Sequence, residues 1–250
     1  MKEQLEIMLK ELHLASFRQM YEPIASDAID KKLSYEQYLF ELTESEIFTR
    51  RENKVKRLLK ESKLPTSKTR DTFDFSLVAK KAKAKYELLR SGNFLNKAEN
   101  VLLFGNPGSG KTHFVCALAR EMIEMRKKVL FFTCNTLVQN LLIAKKELRI
   151  NNYLKKLSRI DLIIIDDIGY VQQNRAEMEV LFTFLADRYE AGSIMITSNL
   201  PFSKWEQIFK DPMTTIAAID RLVHHSVIVE LNNESYRKKA AKIDKDIEKV

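Results

Sequence analysis

Residues 105–112 read Gly105-Asn106-Pro107-Gly108-Ser109-Gly110-Lys111-Thr112, in which two glycines bracket four residues and Lys-Thr follows. This is the spacing of a phosphate-binding loop. It directly follows an apolar run at 101–104 and opens a helical pattern at 112–125, so it stands where a strand gives way to a helix. Gly105, Gly108 and Gly110 let the backbone wrap closely and turn its N–H groups toward phosphate oxygens. The start of the helix adds its positive dipole end. Lys111 places a cation on the β- and γ-phosphates, and Thr112 offers its hydroxyl to Mg²⁺. ATP and Mg²⁺ are therefore the expected cofactors, with residues 105–112 and the adjoining His113 in the nucleotide site.

Outward from the loop, apolar runs at 101–104, 129–133, 162–166, 194–198 and 227–231 alternate with helical stretches that begin near Lys111, Thr136, Ala176 and Thr214. Near-continuous apolar strands alternating with helices predict a parallel sheet covered on both faces. The run at 162–166 ends in Asp166-Asp167, and a charge at a buried strand end is costly without a partner. Asp166 is the expected metal residue, and Asp167 the group that deprotonates the attacking water. The run at 194–198 ends in Ser198-Asn199, and Asn199 suits a role in holding that water. A Thr-Ser-Asn stretch is equally at home as a cap or turn.

Residues 1–64 carry only helical periodicity. Leu5, Met8, Leu9 and Leu12 share one spacing, as do Tyr35, Tyr38, Leu39 and Leu42, then Val55, Leu58 and Leu59. Ser34 with Gln37 forms a capping pair. Pro65 and the polar residues after it mark a break, so a small all-α domain is expected at 1–68 and an α/β domain at 69–250.

The chain has 250 residues, 45% hydrophobic and 30% charged, which excludes wholesale disorder, collagen and a disulfide scaffold. Cys116 and Cys134 lie far apart, as expected for core fillers in a reducing cytoplasm. There is no apolar run of membrane-spanning length, and the first residues, MKEQLEIMLKELHL, have no signal-peptide core. The net charge is +8 and unevenly spread: residues 1–49 have 5 basic and 10 acidic side chains, 50–70 have 9 and 2, and 145–159 have 6 and 1. Such blocks are either binding surfaces for a polyanion or solvated helix faces.

The loop, the strand with two aspartates and the strand with Ser-Asn, in this order, resemble the AAA+ ATPases. DLIIIDDIGY at 161–170, DRYEAGSIMITSNLPFSKWEQIF at 187–209, AAIDRLVHHSVIVELNNESYRKKA at 217–240 and FDFSL at 73–77 are similar to the IstB family of transposition helper ATPases, relatives of the helicase loader DnaC and the initiator DnaA. The resemblance implies a three-layer AAA+ domain with a five-stranded parallel sheet, the Ser-Asn strand lying between the loop strand and the aspartate strand. Only about 19 residues follow the last strand, so no separate lid domain is expected. It also implies that Arg221 is an arginine finger reaching a neighbouring subunit's nucleotide, although a salt bridge with Asp220 would be the plainer use. Arg237 would be a second sensor, and Arg188 would lie at the same subunit boundary. The wider AAA+ pattern has Glu where Asp167 stands. The shorter side chain implies slow, oligomer-dependent ATP hydrolysis, with ATP acting more as an assembly switch than as fuel.

The same resemblance implies that the region before the aspartate strand lines a nucleic-acid channel, through Lys145, Lys146, Arg149, Lys155, Lys156 and Arg159. A second basic stripe, Arg50, Arg51, Lys54, Arg57 and Lys60, would either touch DNA or pair with the acidic part of another subunit. Phosphate contacts of this kind bind with little sequence preference. The expected function is an ATPase that forms a homo-oligomer on double-stranded DNA and recruits its transposase, with no membrane partner. The alternatives are a DnaC-like loader binding single-stranded DNA, a monomeric small-molecule kinase, and a nucleotide-dependent scaffold without hydrolysis.

Overall fold

The computed structural model describes residues 1–169, 174–201, 204–205 and 222–232. The chain divides into two compact units, 1–57 and 58–250. The division falls inside a helix and ahead of the Pro65 break, because Leu58 and Leu64 are already core residues of the second unit.

The first unit contains α1 (Lys2–Glu11), α2 (Ala15–Asp30) and most of α3 (Tyr35–Glu61). Ser34 and Gln37 cap α3 reciprocally, at 3.2 and 2.9 Å. The buried Glu46 carboxylate accepts the Ser16 N–H at 2.8 Å and the Arg50 guanidinium at 2.6 Å, fastening the start of α2 to α3. The expected apolar stripes are buried only in part. Leu9 and Leu42 are interior, while Leu5, Met8, Leu12, Tyr35 and Leu39 face solvent. Three helices have too little facing surface to cover every apolar position that the periodicity marks.

The second unit is a parallel sheet with helices on both faces. Its strands are β1 (Asn100–Gly105), β2 (Val129–Thr133), β3 (Leu162–Ile168), β4 (Ser193–Ser198) and β5 (Ser226–Leu231), in the order β2-β3-β4-β1-β5. All four pairings are parallel, and β4 lies between β1 and β3, as the resemblance implied. The helices are α4 (Lys80–Leu89), a short α5 (Asn93–Asn96), α6 (Lys111–Glu124), α7 (Cys134–Lys146), α8 (Ile150–Leu157) and α9 (Arg175–Arg188). Val101, Leu102 and Leu103 of β1 and Ile163, Ile164 and Ile165 of β3 are fully buried, as strands covered on both faces must be. Among the described residues no helix is long and apolar enough to cross a membrane.

Arg188 corrects an expectation. It is 2% exposed, and so cannot lie at a subunit boundary. Its guanidinium donates to the carbonyls of Leu157, Ile160, Asp161 and Ser193, tying the end of α8 to the start of β4. Burial lowers its pKa to about 10, still well above neutrality, so the group remains charged. Gly192 has no Cβ because one would stand 2.5 Å from the Arg188 Cζ. Arg188→Met would strand these carbonyls and should cost about 2–4 kcal/mol in urea unfolding at unchanged m-value.

Candidate nucleotide site and basic bowl

β1 ends at Gly105, where the chain passes so close to β5 that an added Cβ would meet the Leu231 carbonyl oxygen at 2.2 Å. The loop then turns into α6 through Gly110, whose φ of 94° is strained for any side chain. From Phe114 to Ala119 every residue of α6 is fully buried, so the helix is a fixed post with its N-terminus at the loop. Lys111 is 6% exposed, and its Nζ donates to the carbonyls of Gly105 and Asn106 at 2.8 and 3.1 Å. The Ser109 hydroxyl is buried without a hydrogen-bond partner.

Opposite the loop stand the ends of β3 and β4. The buried Asp166 carboxylate accepts the Thr197 hydroxyl at 2.6 Å, and the nearby Thr112 side chain favours its charged form. Burial raises its pKa, the Thr197 hydrogen bond opposes the rise, and the neighbouring Asp167 charge adds to it. Asp167 sits in a register shift between Ile165 and Ile168, with φ at 60°. A bulge of this kind re-aims one side chain, and the left-handed conformation is one that Asp tolerates better than most residues. Asp167 is thus exposed, and it lines the same cleft as Lys111, Thr112 and Asn199. Its N–H donates to the Thr197 hydroxyl at 2.9 Å, so Thr197 holds both aspartates. By sequence alone Thr197 is no more than part of a possible cap. Thr197 is the last residue but one of β4, and only the pairing of β3 beside it shows which polar partner it serves.

The cleft holds about 290 Å³. The loop, Asp167 and Asn199 form one part of its lining; Lys68, Thr72, Phe73 and Asp74 form another. His113 also lines it, but its Nε2 is engaged with the Thr69 carbonyl at 2.8 Å and the Thr72 hydroxyl at 3.0 Å. Arg221 and Arg237 lie outside the described residues. The donor set fits a triphosphate with a divalent cation: a buried ammonium, an orphaned hydroxyl in the loop, and a desolvated carboxylate touching a hydroxyl. Such a carboxylate is the hard oxygen ligand that Mg²⁺ takes sparingly beside water and phosphate.

The basic residues of 145–159 divide between two surroundings. Arg149, Lys155, Lys156 and Arg159 line one bowl of about 770 Å³ between α7 and α8. Lys63, just past α3, joins them with Asn140, Asn152 and Tyr153. Sequence reasoning missed Lys63 because only tertiary packing brings it beside α8. Lys145 instead pairs with Glu179 on α9 at 2.7 Å, and Lys146 is exposed outside the bowl lining. In the first unit Arg50 is bound to Glu46 and to the His13 carbonyl, while Arg51, Lys54 and Arg57 are exposed on α3.

A five-stranded parallel sheet in this order, with a phosphate loop after β1 and paired carboxylates at the end of β3, defines an ATP-binding P-loop protein of the AAA+ class. The chain belongs to the family of IstB-like ATP binding proteins, whose model matches residues 7–243. It is 40% identical over 238 residues to an insertion sequence ATP-binding protein of Sinorhizobium fredii, covering 95% of this chain and 80% of that one. It is 34% identical to the insertion sequence IS5376 ATP-binding protein of Geobacillus stearothermophilus, over 100% and 99% of the two chains. The fold is also that of the DnaC helicase loader (TM-score 0.55, 16% identity, 67% of this chain and 98% of that one). It is likewise that of the initiator DnaA bound to AMPPCP and single-stranded DNA (TM-score 0.58, 17% identity, 73% and 55%).

Proposed function

We propose that this protein is an ATP-hydrolysing helper of transposition that assembles as a homo-oligomer on double-stranded DNA and there engages a transposase. The observation that carries the reading is the convergence of Lys111, Thr112, Asp167 and Asn199 on one cleft, with Asp166 held beside it by Thr197. It brings the two residues suited to a nucleotide-bound cation close together beside the loop. Relatives named for insertion sequences support the transposition context.

In this reading Lys111 leaves the carbonyls of Gly105 and Asn106 to neutralise the β- and γ-phosphates. Thr112 and Asp166 hold Mg²⁺, which when bound offsets charge on the phosphates. Thr197 keeps Asp166 oriented. Asp167, placed in the cleft by its bulge, takes the proton of the attacking water, and Asn199 positions that water. Arg221 completes the site of the adjoining copy, which links hydrolysis to assembly, and Arg237 senses the same nucleotide. These two assignments rest on the match of sequence motifs. The bowl of Arg149, Lys155, Lys156, Arg159 and Lys63 grips the DNA backbone by charge, and Arg51, Lys54 and Arg57 add contacts from the first unit.

Negative-stain imaging with duplex DNA and ATP, ADP or no nucleotide tests the whole reading. Multimers on duplex are expected with ATP, and a single copy under every condition would sink it. Replacing Arg149, Lys155, Lys156 and Arg159 together by Ala should flatten the dependence of log K for duplex on log salt by about 3–4, as expected for the loss of up to one phosphate contact per side chain. An unchanged slope in a fluorescence anisotropy titration would remove the bowl from the DNA path.

A further inference from the structure

The cleft has a second wall that none of the motifs explains. Residues 65–74 form neither helix nor strand, yet they run along α6 and supply Lys68, Thr72, Phe73 and Asp74 to the cleft. An irregular segment loses about 1–2 kcal/mol of backbone entropy per residue when fixed, so something must hold it. Three polar side chains of α6 do so, among them Glu121, which pairs with Arg70 at 3.7 Å. Arg120 donates Nε to the Lys68 carbonyl at 3.0 Å and Nη2 to the carbonyls of Pro65 and Thr66 at 2.9 and 3.1 Å. His113 bonds the Thr69 carbonyl and the Thr72 hydroxyl, and its ring meets Phe73 edge-on at 5.1 Å. Phe73 in turn packs edge-on against Phe75 and Phe114.

Lys111 and Thr112 begin this same helix. The phosphate loop and the facing wall are therefore both referred to one buried post. A nucleotide whose phosphates lie on the loop must rest its remaining half against the only other wall formed by described residues, which is this strap. We infer that Arg120, assisted by His113, is a positioning residue for nucleotide recognition. It holds residues 65–74 in the shape that receives the nucleoside half of the ligand. Arg120 does not line the cleft, so it acts only through the strap. The inference rests on the loop being a triphosphate seat, and the test separates the two.

Isothermal titration of the full chain with Mg-ATP and with Mg-tripolyphosphate reads the nucleoside and phosphate contributions apart. Wild type should bind ATP more tightly than tripolyphosphate. Arg120→Met should weaken ATP about tenfold, the loss expected from a wall that no longer holds its shape, and shift tripolyphosphate less than about twofold on the same reasoning. Arg120→Lys, with a single ammonium for three carbonyls, should fall between Met and wild type. His113→Ala should shift the same ratio in the same direction, and it serves as the readout if Arg120→Met does not fold. Parallel weakening of both ligands, no weakening of either, or a wild type that binds tripolyphosphate as tightly as ATP would each overturn the positioning role. A wild type that binds neither ligand would instead overturn the reading of the loop.

Discussion

Lys111→Ala is expected to abolish detectable ATP hydrolysis, a loss of at least about 10²–10³ in rate as for removal of a pre-aimed cation at developing phosphate charge. Nucleotide affinity should fall with it, because Lys111 acts in the ground state as well. Lys111 is 6% exposed and its ammonium is held by the Gly105 and Asn106 carbonyls, so it waits in the loop already largely desolvated. The energetic cost of bringing a charge out of water is thus met during folding rather than on binding. Alanine also leaves those two carbonyls without their donor, and the loop should lose its shape. Arginine should not rescue the activity, because a planar fork is larger than the space an ammonium fills. Measuring ATP binding and phosphate release side by side checks the result. Hydrolysis that survives Lys111→Ala would show that the catalytic cation lies elsewhere.

Asp166→Asn is expected to produce the second-largest loss, with a different signature. Mg²⁺-dependent hydrolysis should drop by about 10² or more, the scale of removing one pre-aimed charged group. Nucleotide binding without Mg²⁺ should survive, since the loop is untouched. The ligand-free fold should not weaken. Burial raises the folded-state pKa of Asp166, which means that the native state holds the proton more firmly than the unfolded chain. For a carboxyl shifted in that direction stability falls as pH rises from the unfolded pKa to the folded one, and the penalty is fully present above the folded pKa. Asparagine removes that penalty and can still accept the Thr197 hydroxyl. The melting temperature of Asp166→Asn at pH 7 should therefore equal or exceed that of wild type, with the gain vanishing in acid. A thermal scan across pH with and without Mg²⁺ reads both effects. A neutral-pH melting temperature well below wild type would show that Asp166 is a structural anion instead.

The sheet was legible in the sequence because its signals are local. Apolar runs bounded by turns report strands buried on both faces, and the loop pattern announces the turn between β1 and α6. The paired aspartates and the Ser34–Gln37 cap were equally plain. Other features were not, and each failed for a nameable reason. Thr197 looked like a terminal cap, since nothing along the strand says that β3 would pair beside it and leave Asp166 needing a donor. Arg188 was expected at a subunit boundary, since a buried arginine is recognisable only through the carbonyls of Leu157, Ile160, Asp161 and Ser193 that surround it. The first-unit stripes mark apolar helix faces, but periodicity does not say how much facing surface there is to cover them.

The order of residues along the chain was thus enough to determine that a phosphate loop opens a parallel α/β sheet, and that an aspartate pair and two basic blocks accompany it. Tertiary packing alone decided which members of those clusters meet. It put Thr112 near Asp166, turned Asp167 into the cleft through a bulge, gathered Lys63 beside Arg149, Lys155, Lys156 and Arg159, and drew Lys145 away to Glu179. The physical reason is range. Strand and helix periodicity is fixed by neighbours a few residues away, whereas a hydrogen bond or ion pair across the fold depends on strand order and register, which no local pattern records.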